Sequence, residues 1–201
     1  MARKWSNLNL PGALHYVTGN CTNRLPVFTD PECCLAFLEK LKTLNQEWPC
    51  KLIVYVLMPD HFHLISNPQD GCIIEFCRDL KSKAAKAILE TTHRFSFPES
   101  EEGREVWQES FKAIPLWSRW MINQKINYIH ANPVKAKLVK SARDYYWSSF
   151  RSFCGQGDEP LAVDHDWWWP DDAEKLTKAM KKMGWHSYWK RDENEDEDDE
   201  D

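Results

Sequence analysis

The sequence predicts an α+β fold in which helices pack on one face of a mainly antiparallel sheet. Three or four strand-like apolar segments are interleaved with amphipathic helical segments of ordinary length, and no internal repeat is present. The chain has 201 residues, which is long enough to bury one core of ordinary domain size. The segments predicted to be strands are 13–22, 52–58, the segment that begins at 61, and 105–115.

The strongest strand signal is the apolar segment 52–58, which is followed by a Pro-Asp pair (59–60) and a second apolar segment. Apolar, β-prone residues on both sides of such a pair indicate two strands joined by a tight turn. Because side chains alternate between the faces of a strand, His61 and His63 share one face and Phe62 lies on the other. Two imidazoles at this spacing can bind one metal ion. Two half-exposed histidines without a ligand would have the same pattern.

Two helices are predicted between these strands. Asp30 and Pro31 are typical of an N-cap and a first helical residue, and apolar residues recur at helical spacing until Pro49. A second helix is predicted over 72–90, with a basic exposed face. Such a face is usual in a solvated helix, but it could also follow a nucleic-acid backbone. The candidate DNA-binding residues are Arg78, Lys81, Lys83 and Lys86, with Lys125 further along the chain.

A third helix is predicted over 116–131, with isoleucines on its core face. Tyr128 lies about 200° around the helix from Ile126, at 100° per residue. Asn132 is four residues further on and shares the face of Tyr128. Pro133 disfavours helical geometry at the preceding residue and is predicted to end the helix there. A phenol and an amide are therefore expected together at a helix end, although an interface tyrosine would have the same pattern.

The charge of the chain is unevenly distributed. The formal net charge is −5, yet nine acidic residues lie within the last ten positions, 192–201. The remaining chain holds 22 of the 31 acidic residues against 26 basic ones, a balance near +4. A mildly basic body suits a negatively charged partner without requiring one. The acidic segment is predicted to be a disordered tail.

The cysteines and the hydropathy pattern exclude several classes of protein. Seven cysteines without a C-x-x-C pair argue against a zinc ribbon or a disulfide framework, so reduced thiols are expected. The sequence has no signal-peptide pattern and no apolar run of about 18 residues. A cytoplasmic protein that does not bind membranes is therefore expected.

Three blocks resemble, in order, the single-tyrosine HUH transposases, and most closely the REP-associated tyrosine transposases. The blocks are LMPDHFHLI (57–65), NYIHANPVKAKLV (127–139) and DYYWSSF (144–150). Segments 11–24 and 107–114 are also similar, except that Glu109 and Ser110 stand where the family usually has a basic residue or glycine.

The resemblance implies a ferredoxin-like HUH domain over 1–155. The Trp-rich extension over 156–191 and the acidic tail lie outside the match. The resemblance also implies cleavage and rejoining of single-stranded DNA, expected to be hairpin-forming, through a 5′-phosphotyrosine and a free 3′-OH. Tyr128 matches the nucleophile of the family. His61 and His63 match its metal ligands, and Asn132 matches a third ligand. The protein is expected to be a monomer or a homodimer, with attack either within one chain or across a dimer.

This assignment is chemically reasonable. A divalent ion can neutralise the phosphate and align it for attack, and a tyrosyl phosphate ester conserves the bond energy for rejoining. Two imidazoles and an amide oxygen suit Mn²⁺, whereas Mg²⁺ prefers all-oxygen ligands and would bind weakly before DNA arrives.

Two other hypotheses compete with the enzyme. A catalytically quiet regulator could bind structured single-stranded nucleic acid through the same surface. An unrelated zinc hydrolase could use His61 and His63, but a third ligand at recognisable spacing is lacking.

Overall fold

The computed structural model describes residues 7, 9–10, 13–68, 72–101 and 103–165. In these ranges the strands are β1 (Leu14–Asn20), β2 (Cys50–Met58), β3 (His61–Pro68), β4 (Glu99–Ser100), β5 (Gly103–Arg104) and β6 (Lys112–Leu116). The α-helices are α1 (Pro31–Glu47), α2 (Ile73–Thr91), α3 (Arg119–Lys135) and α4 (Phe150–Phe153). The acidic tail and most of the Trp-rich extension predicted from the sequence lie outside the described residues.

Four strands form one antiparallel sheet in the order β2-β3-β1-β6. β1 pairs with both β3 and β6, and β2 pairs with β3. α1 connects β1 to β2, and α2 follows β3. This order and connectivity are those of a ferredoxin-like α+β fold, so the predicted fold class is confirmed.

The two faces of the sheet carry different helices. α1 and α2 share one apolar cluster with Val17, Leu57 and Phe62, on one face of the sheet. α3 covers the opposite face, in a second cluster that includes Val56 and Ile65. Because helices cover both faces of the sheet, β2 is buried on both faces, which agrees with its unbroken run of apolar residues.

α3 is longer than predicted, since it continues through Pro133 to Lys135. Pro133 removes only its own amide hydrogen bond, and the next turn is closed by bonds from Ala136 N to Asn132 O (2.9 Å) and from Leu138 N to Pro133 O (2.9 Å). The helix start agrees with ordinary capping, because Ser118 Oγ accepts a hydrogen bond from Met121 N at 3.2 Å.

Residues that follow α3 cover the free edge of β2. Leu57 N donates to Trp147 O at 2.9 Å, and Ser149 N donates to Tyr55 O at 3.0 Å. Asp164 exchanges two hydrogen bonds with the backbone of Leu52, at 2.7 and 2.8 Å. Edge groups that would otherwise be open to another strand are therefore occupied within the chain.

All seven cysteines are free thiols, as expected from their spacing. Among the described residues, no helix has the length and apolar character that crossing a membrane requires.

Gly19 allows the close packing that orients β3. It pairs directly with Phe62, and a Cβ at position 19 would lie 2.5 Å from the Phe62 ring. Phe62 is fully buried and contacts Phe37, with ring centroids 4.8 Å apart. Since Phe62 is anchored on the α1–α2 face, the flanking His61 and His63 must lie on the α3 face.

Gly19→Ala is expected to lower the free energy of unfolding by roughly 1–3 kcal/mol, because Phe62 must leave its position in a close-packed core. Urea unfolding of the two proteins measures the difference. An unchanged midpoint would show that Phe62 moves aside without cost.

Candidate active site

The two histidines predicted as ligands lie side by side on the α3 face of β3. His63 is directly opposite Thr18 in β1 and Val56 in β2, while His61 is opposite Asn20 and Met58. The ring centroids of the two imidazoles are 4.8 Å apart. His63 is only 5% exposed, whereas His61 is half-buried.

The two ring nitrogens of His63 have different surroundings. Tyr16 Oη lies 2.8 Å from Nδ1, and the Nε2 atom of His63 is buried without a hydrogen-bond partner among the described residues. Burial lowers the pKa of His63 well below its ordinary value, and the positive charges of His61, Lys125 and Arg24 lower it further. The ring is therefore neutral at pH 7. A buried imidazole nitrogen without a partner is costly, unless a ligand occupies it.

The ring of His61 is oriented by its neighbour in the turn. Its Nδ1 lies 2.6 Å from Asp60 Oδ1, and Arg24 Nη1 lies 3.5 Å from the other oxygen of that carboxylate. Burial alone would raise the pKa of Asp60, but the hydrogen bond from His61 and the charges of His61 and Arg24 outweigh it and hold the pKa below its usual value. Because Asp60 occupies Nδ1, Nε2 is the nitrogen left for a ligand.

Tyr128 lies beside this histidine pair in the same chain. Its ring centroid is 5.6 Å from that of His63 and 6.2 Å from that of Tyr16. The Lys125 ammonium lies 5.1 Å from the centroids of both tyrosine rings, and Lys135 Nζ lies 5.3 Å from that of Tyr128. Contacts at this range are cation–π interactions, and they bring two positive charges to the phenol.

The side chain of Asn132 contacts the backbone of Tyr128, one turn earlier in α3. Its Nδ2 donates a hydrogen bond to Tyr128 O at 2.9 Å. An amide that donates through nitrogen keeps its carbonyl oxygen for another partner, and Oδ1 is the atom of Asn132 suited to a hard cation. Among the described residues there is no group of three or more His, Cys, Asp or Glu side chains that could hold a metal. A metal held by the residues predicted from the sequence would therefore depend on two imidazoles and an amide.

The predicted basic residues divide between two places. Lys125 lies within the site, whereas Arg78, Lys81, Lys83 and Lys86 lie on α2, which packs on the other face of the sheet. Lys81 Nζ donates to Gln108 O at 2.7 Å and to Glu109 O at 3.1 Å, and its burial lowers its pKa. Lys83 forms an ion pair with Glu47. The α2 face is therefore separate from the histidine–tyrosine site.

His130, which lies between Tyr128 and Asn132 in sequence, is directed elsewhere. Its Nε2 lies 3.1 Å from Ser149 Oγ, and its ring packs on Phe150 and Phe153. Burial lowers the pKa of His130 to about 4. This histidine belongs to the packing of α3 and not to the site.

Sequence reasoning missed Tyr16, Asp60 and Arg24 as site residues. Asp60 is adjacent to His61, and this adjacency was the available signal. Tyr16 lies in the segment predicted to be the first strand, but its contact with His63 depends on how β1 pairs with β3. No sequence pattern reports that pairing.

Comparison with known proteins identifies the family of the chain. The family profile "Transposase IS200 like" matches residues 13–132. A REP-associated tyrosine transposase of Escherichia coli (strain K12) is 25% identical over 129 residues, which are 62% of this chain and 66% of that relative. The solved structure of a REP-associated tyrosine transposase bound to a REP hairpin has a TM-score of 0.64 at 19% identity. That match covers 83% of this chain and 94% of the other.

The structural similarity supports the fold, and the family profile spans β1, the histidine pair, Tyr128 and Asn132. The predicted resemblance is thereby confirmed at the level of the family. The chain belongs to the IS200-like transposase family, whose members are enzymes that cut and join DNA.

Proposed function

We propose that this protein is a metal-dependent single-stranded DNA endonuclease and strand transferase that acts through a 5′-phosphotyrosine on Tyr128. One observation carries the proposal: the Tyr128 ring lies 5.6 Å from the ring of His63, a buried histidine whose Nε2 has no partner among the described residues. A phenol beside a buried imidazole nitrogen that has no hydrogen-bond partner among the described residues suits attack on a phosphate held by a cation.

His61 and His63, through Nε2, and Asn132, through Oδ1, would hold a divalent ion, Mn²⁺ or Mg²⁺. The fit rests on three features, namely the neutral state of His63, its buried open nitrogen, and the fixed orientation of His61 on Asp60. Such an ion supplies charge neutralisation on the phosphate oxygens. Zinc hydrolysis is less well supported, because the described residues offer no third His, Cys or carboxylate ligand.

In the proposed reaction, Tyr128 Oη attacks the phosphorus of a DNA phosphodiester. A bond forms between Oη and phosphorus, and the bond from phosphorus to the 3′ oxygen breaks. The phenolic proton passes to solvent, and the departing oxygen takes up a proton to become a 3′-OH. The tyrosyl ester conserves the bond energy, so a second 3′-OH can reverse the step and join strands. Lys125 and Lys135 bring positive charge to the place where the phosphate would lie.

We further propose that attack occurs within one chain and that the substrate forms a hairpin. The phenol and the imidazoles come from the same chain, and the free edge of β2 is occupied by residues of that chain. These features favour a monomer that acts in cis. The hairpin is proposed by analogy with the similar transposase structure, which is bound to a REP hairpin.

A pool of single-stranded hairpin oligonucleotides, end-labelled and incubated with Mn²⁺, tests the proposal. DNA labelled at its 3′ end is expected to migrate with the protein on a denaturing gel, and DNA labelled at its 5′ end is expected to be released with a 3′-OH. Neither should occur in EDTA. Attachment of the 5′-labelled half would contradict the polarity, and binding without cleavage would favour the regulator.

Tyr16→Phe is expected to weaken Mn²⁺ binding by about tenfold, because the hydroxyl within 2.8 Å of His63 Nδ1 fixes the ring so that Nε2 faces the ion. Electron paramagnetic resonance of free Mn²⁺ measures the affinity. Tyr145→Phe is a matched control, since the Tyr145 hydroxyl donates to Leu57 O at 2.6 Å. Equal Mn²⁺ affinities in the two variants would remove Tyr16 from the metal site.

A further inference from the structure

Arg24 is held beside His61 by an unusual backbone. Asn23 and Arg24 both have left-handed backbone angles, with φ values of 48° and 53°. Two consecutive non-glycine residues in this region cost on the order of 1 kcal/mol each. The two residues that precede the turn are held to neighbouring segments, because Cys21 N donates to Asp60 O at 2.8 Å and Thr22 N donates to Val106 O at 2.9 Å. The fold therefore maintains a strained turn that directs one arginine.

The guanidinium of Arg24 lies on the same face of the sheet as the histidines. Its Nη1 is 3.2 Å from Asn20 Oδ1 and 3.5 Å from Asp60 Oδ2. Asn20 is directly opposite His61 in the sheet, so the two side chains share a face. The other oxygen of Asp60 holds His61 Nδ1. One carboxylate thus fixes both the imidazole and the guanidinium.

The site is closed at one end and open at the other. At the closed end, His63 is 5% exposed and contacts Tyr16 and Tyr128. At the open end, the Arg24 side chain is 52% exposed. Guanidinium has five N–H donors in a planar fork, and the hydrogen bonds to Asn20 and Asp60 both use Nη1. The other donors of the guanidinium remain for an anion that enters from the open end.

We infer that Arg24 binds the phosphate next to the one that is cleaved, on the side of the strand that ends in the new 3′-OH. The inference rests on the proposed function. Attacking and departing oxygens lie on opposite sides of phosphorus in an in-line displacement. Tyr128 lies against His63, so the departing 3′ oxygen faces His61 and the strand attached to it passes Arg24. A planar guanidinium suits two phosphate oxygens at once.

A positioning role for Arg24 would have a distinct experimental signature. If Arg24 only neutralised Asp60, it would act through Asp60 on His61, and its loss would weaken metal binding. If Arg24 binds phosphate, its loss leaves Mn²⁺ affinity unchanged and weakens the binding and cleavage of DNA. Measuring Mn²⁺ affinity in the absence of DNA separates the two roles.

The test uses a hairpin DNA that the wild-type protein cleaves, with the cleaved bond mapped. Arg24→Gln is expected to reduce its binding and cleavage by about tenfold to a hundredfold, which corresponds to the loss of one charge-assisted contact. Arg24→Lys is expected to bind and cleave the DNA better than Arg24→Gln but less well than the wild-type protein, because lysine keeps the positive charge but lacks the planar set of donors. Arg94→Gln is the matched control, since Arg94 also lies 3.5 Å from an aspartate oxygen and is exposed, beside Asp30. Thermal unfolding checks that each variant is folded.

A methylphosphonate, which is uncharged, is then placed one phosphate upstream of the cleaved bond. The wild-type protein is expected to bind this DNA about tenfold more weakly than the unmodified DNA. Arg24→Gln is expected to bind the modified and the unmodified DNA with equal affinity. The inference is overturned if the methylphosphonate and Arg24→Gln weaken DNA binding independently, so that their effects add. It is also overturned if Arg24→Gln lowers Mn²⁺ affinity, or if Arg24→Gln and Arg94→Gln bind and cleave DNA equally well. If the wild-type protein forms no covalent adduct with any hairpin, the proposed function fails and the inference fails with it.

Discussion

Tyr128→Phe is expected to reduce covalent attachment of DNA by on the order of 10⁴-fold or more, because the variant lacks the hydroxyl that we propose forms the ester. Binding of DNA is expected to remain close to that of the wild-type protein. The phenyl ring keeps its packing against Tyr16 and His63 and its contacts with Lys125 and Lys135. Adduct formation on a denaturing gel and fluorescence anisotropy of labelled hairpin DNA measure the two quantities.

Tyr146→Phe is the matched control for this experiment. Tyr146 is 43% exposed, and its ring contacts Trp147 and Arg151 rather than the histidines. Its variant should form the adduct at the wild-type rate. An adduct that persists in Tyr128→Phe would mean that another residue attacks the phosphate.

His63→Ala is expected to lower Mn²⁺ affinity by at least about a hundredfold and to abolish DNA cleavage, since one of the two proposed imidazole ligands is removed. The wild-type protein in EDTA should behave in the same way, with cleavage restored by Mn²⁺. Electron paramagnetic resonance of free Mn²⁺ and a cleavage assay on one hairpin DNA provide the measurements.

His130→Gln serves as the control, because His130 is also buried but contacts Ser149 and two phenylalanines. It should bind Mn²⁺ like the wild-type protein. Cleavage by His63→Ala at the wild-type rate, or by the wild-type protein in EDTA, would rule out a metal on these imidazoles.

Local sequence patterns predicted most of the elements, although the strand predicted over 105–115 is confined to Lys112–Leu116. The unbroken apolar run of β2 and the Pro-Asp turn predicted two adjacent strands, and Asp30 predicted the start of α1, where its Oδ1 accepts a hydrogen bond from Glu32 N at 3.1 Å. The alternation of β3 placed both histidines on one face. These features depend on nearby residues only, and they can be read from the sequence for that reason.

Features that depend on tertiary packing could not be predicted in the same way. Periodicity identified the exposed side of α2, but it does not report which face of the sheet the helix covers. Lys81 and Lys83 consequently lie on the far side of the sheet from His63. The contact between Tyr16 and His63 depends on strand pairing, and the position of Arg24 depends on a left-handed turn between non-glycine residues. Neither leaves a local pattern.

We propose that the phenol of Tyr128 becomes bonded to DNA beside the two imidazoles. Mass spectrometry can identify the modified residue in peptides from wild-type protein that is incubated with a cleaved hairpin DNA and Mn²⁺ and then digested with nuclease and protease. We expect a nucleotide 5′-phosphate on the peptide that contains Tyr128 and on no other. A nucleotide on a different residue, or cleaved DNA with no peptide adduct, would contradict it.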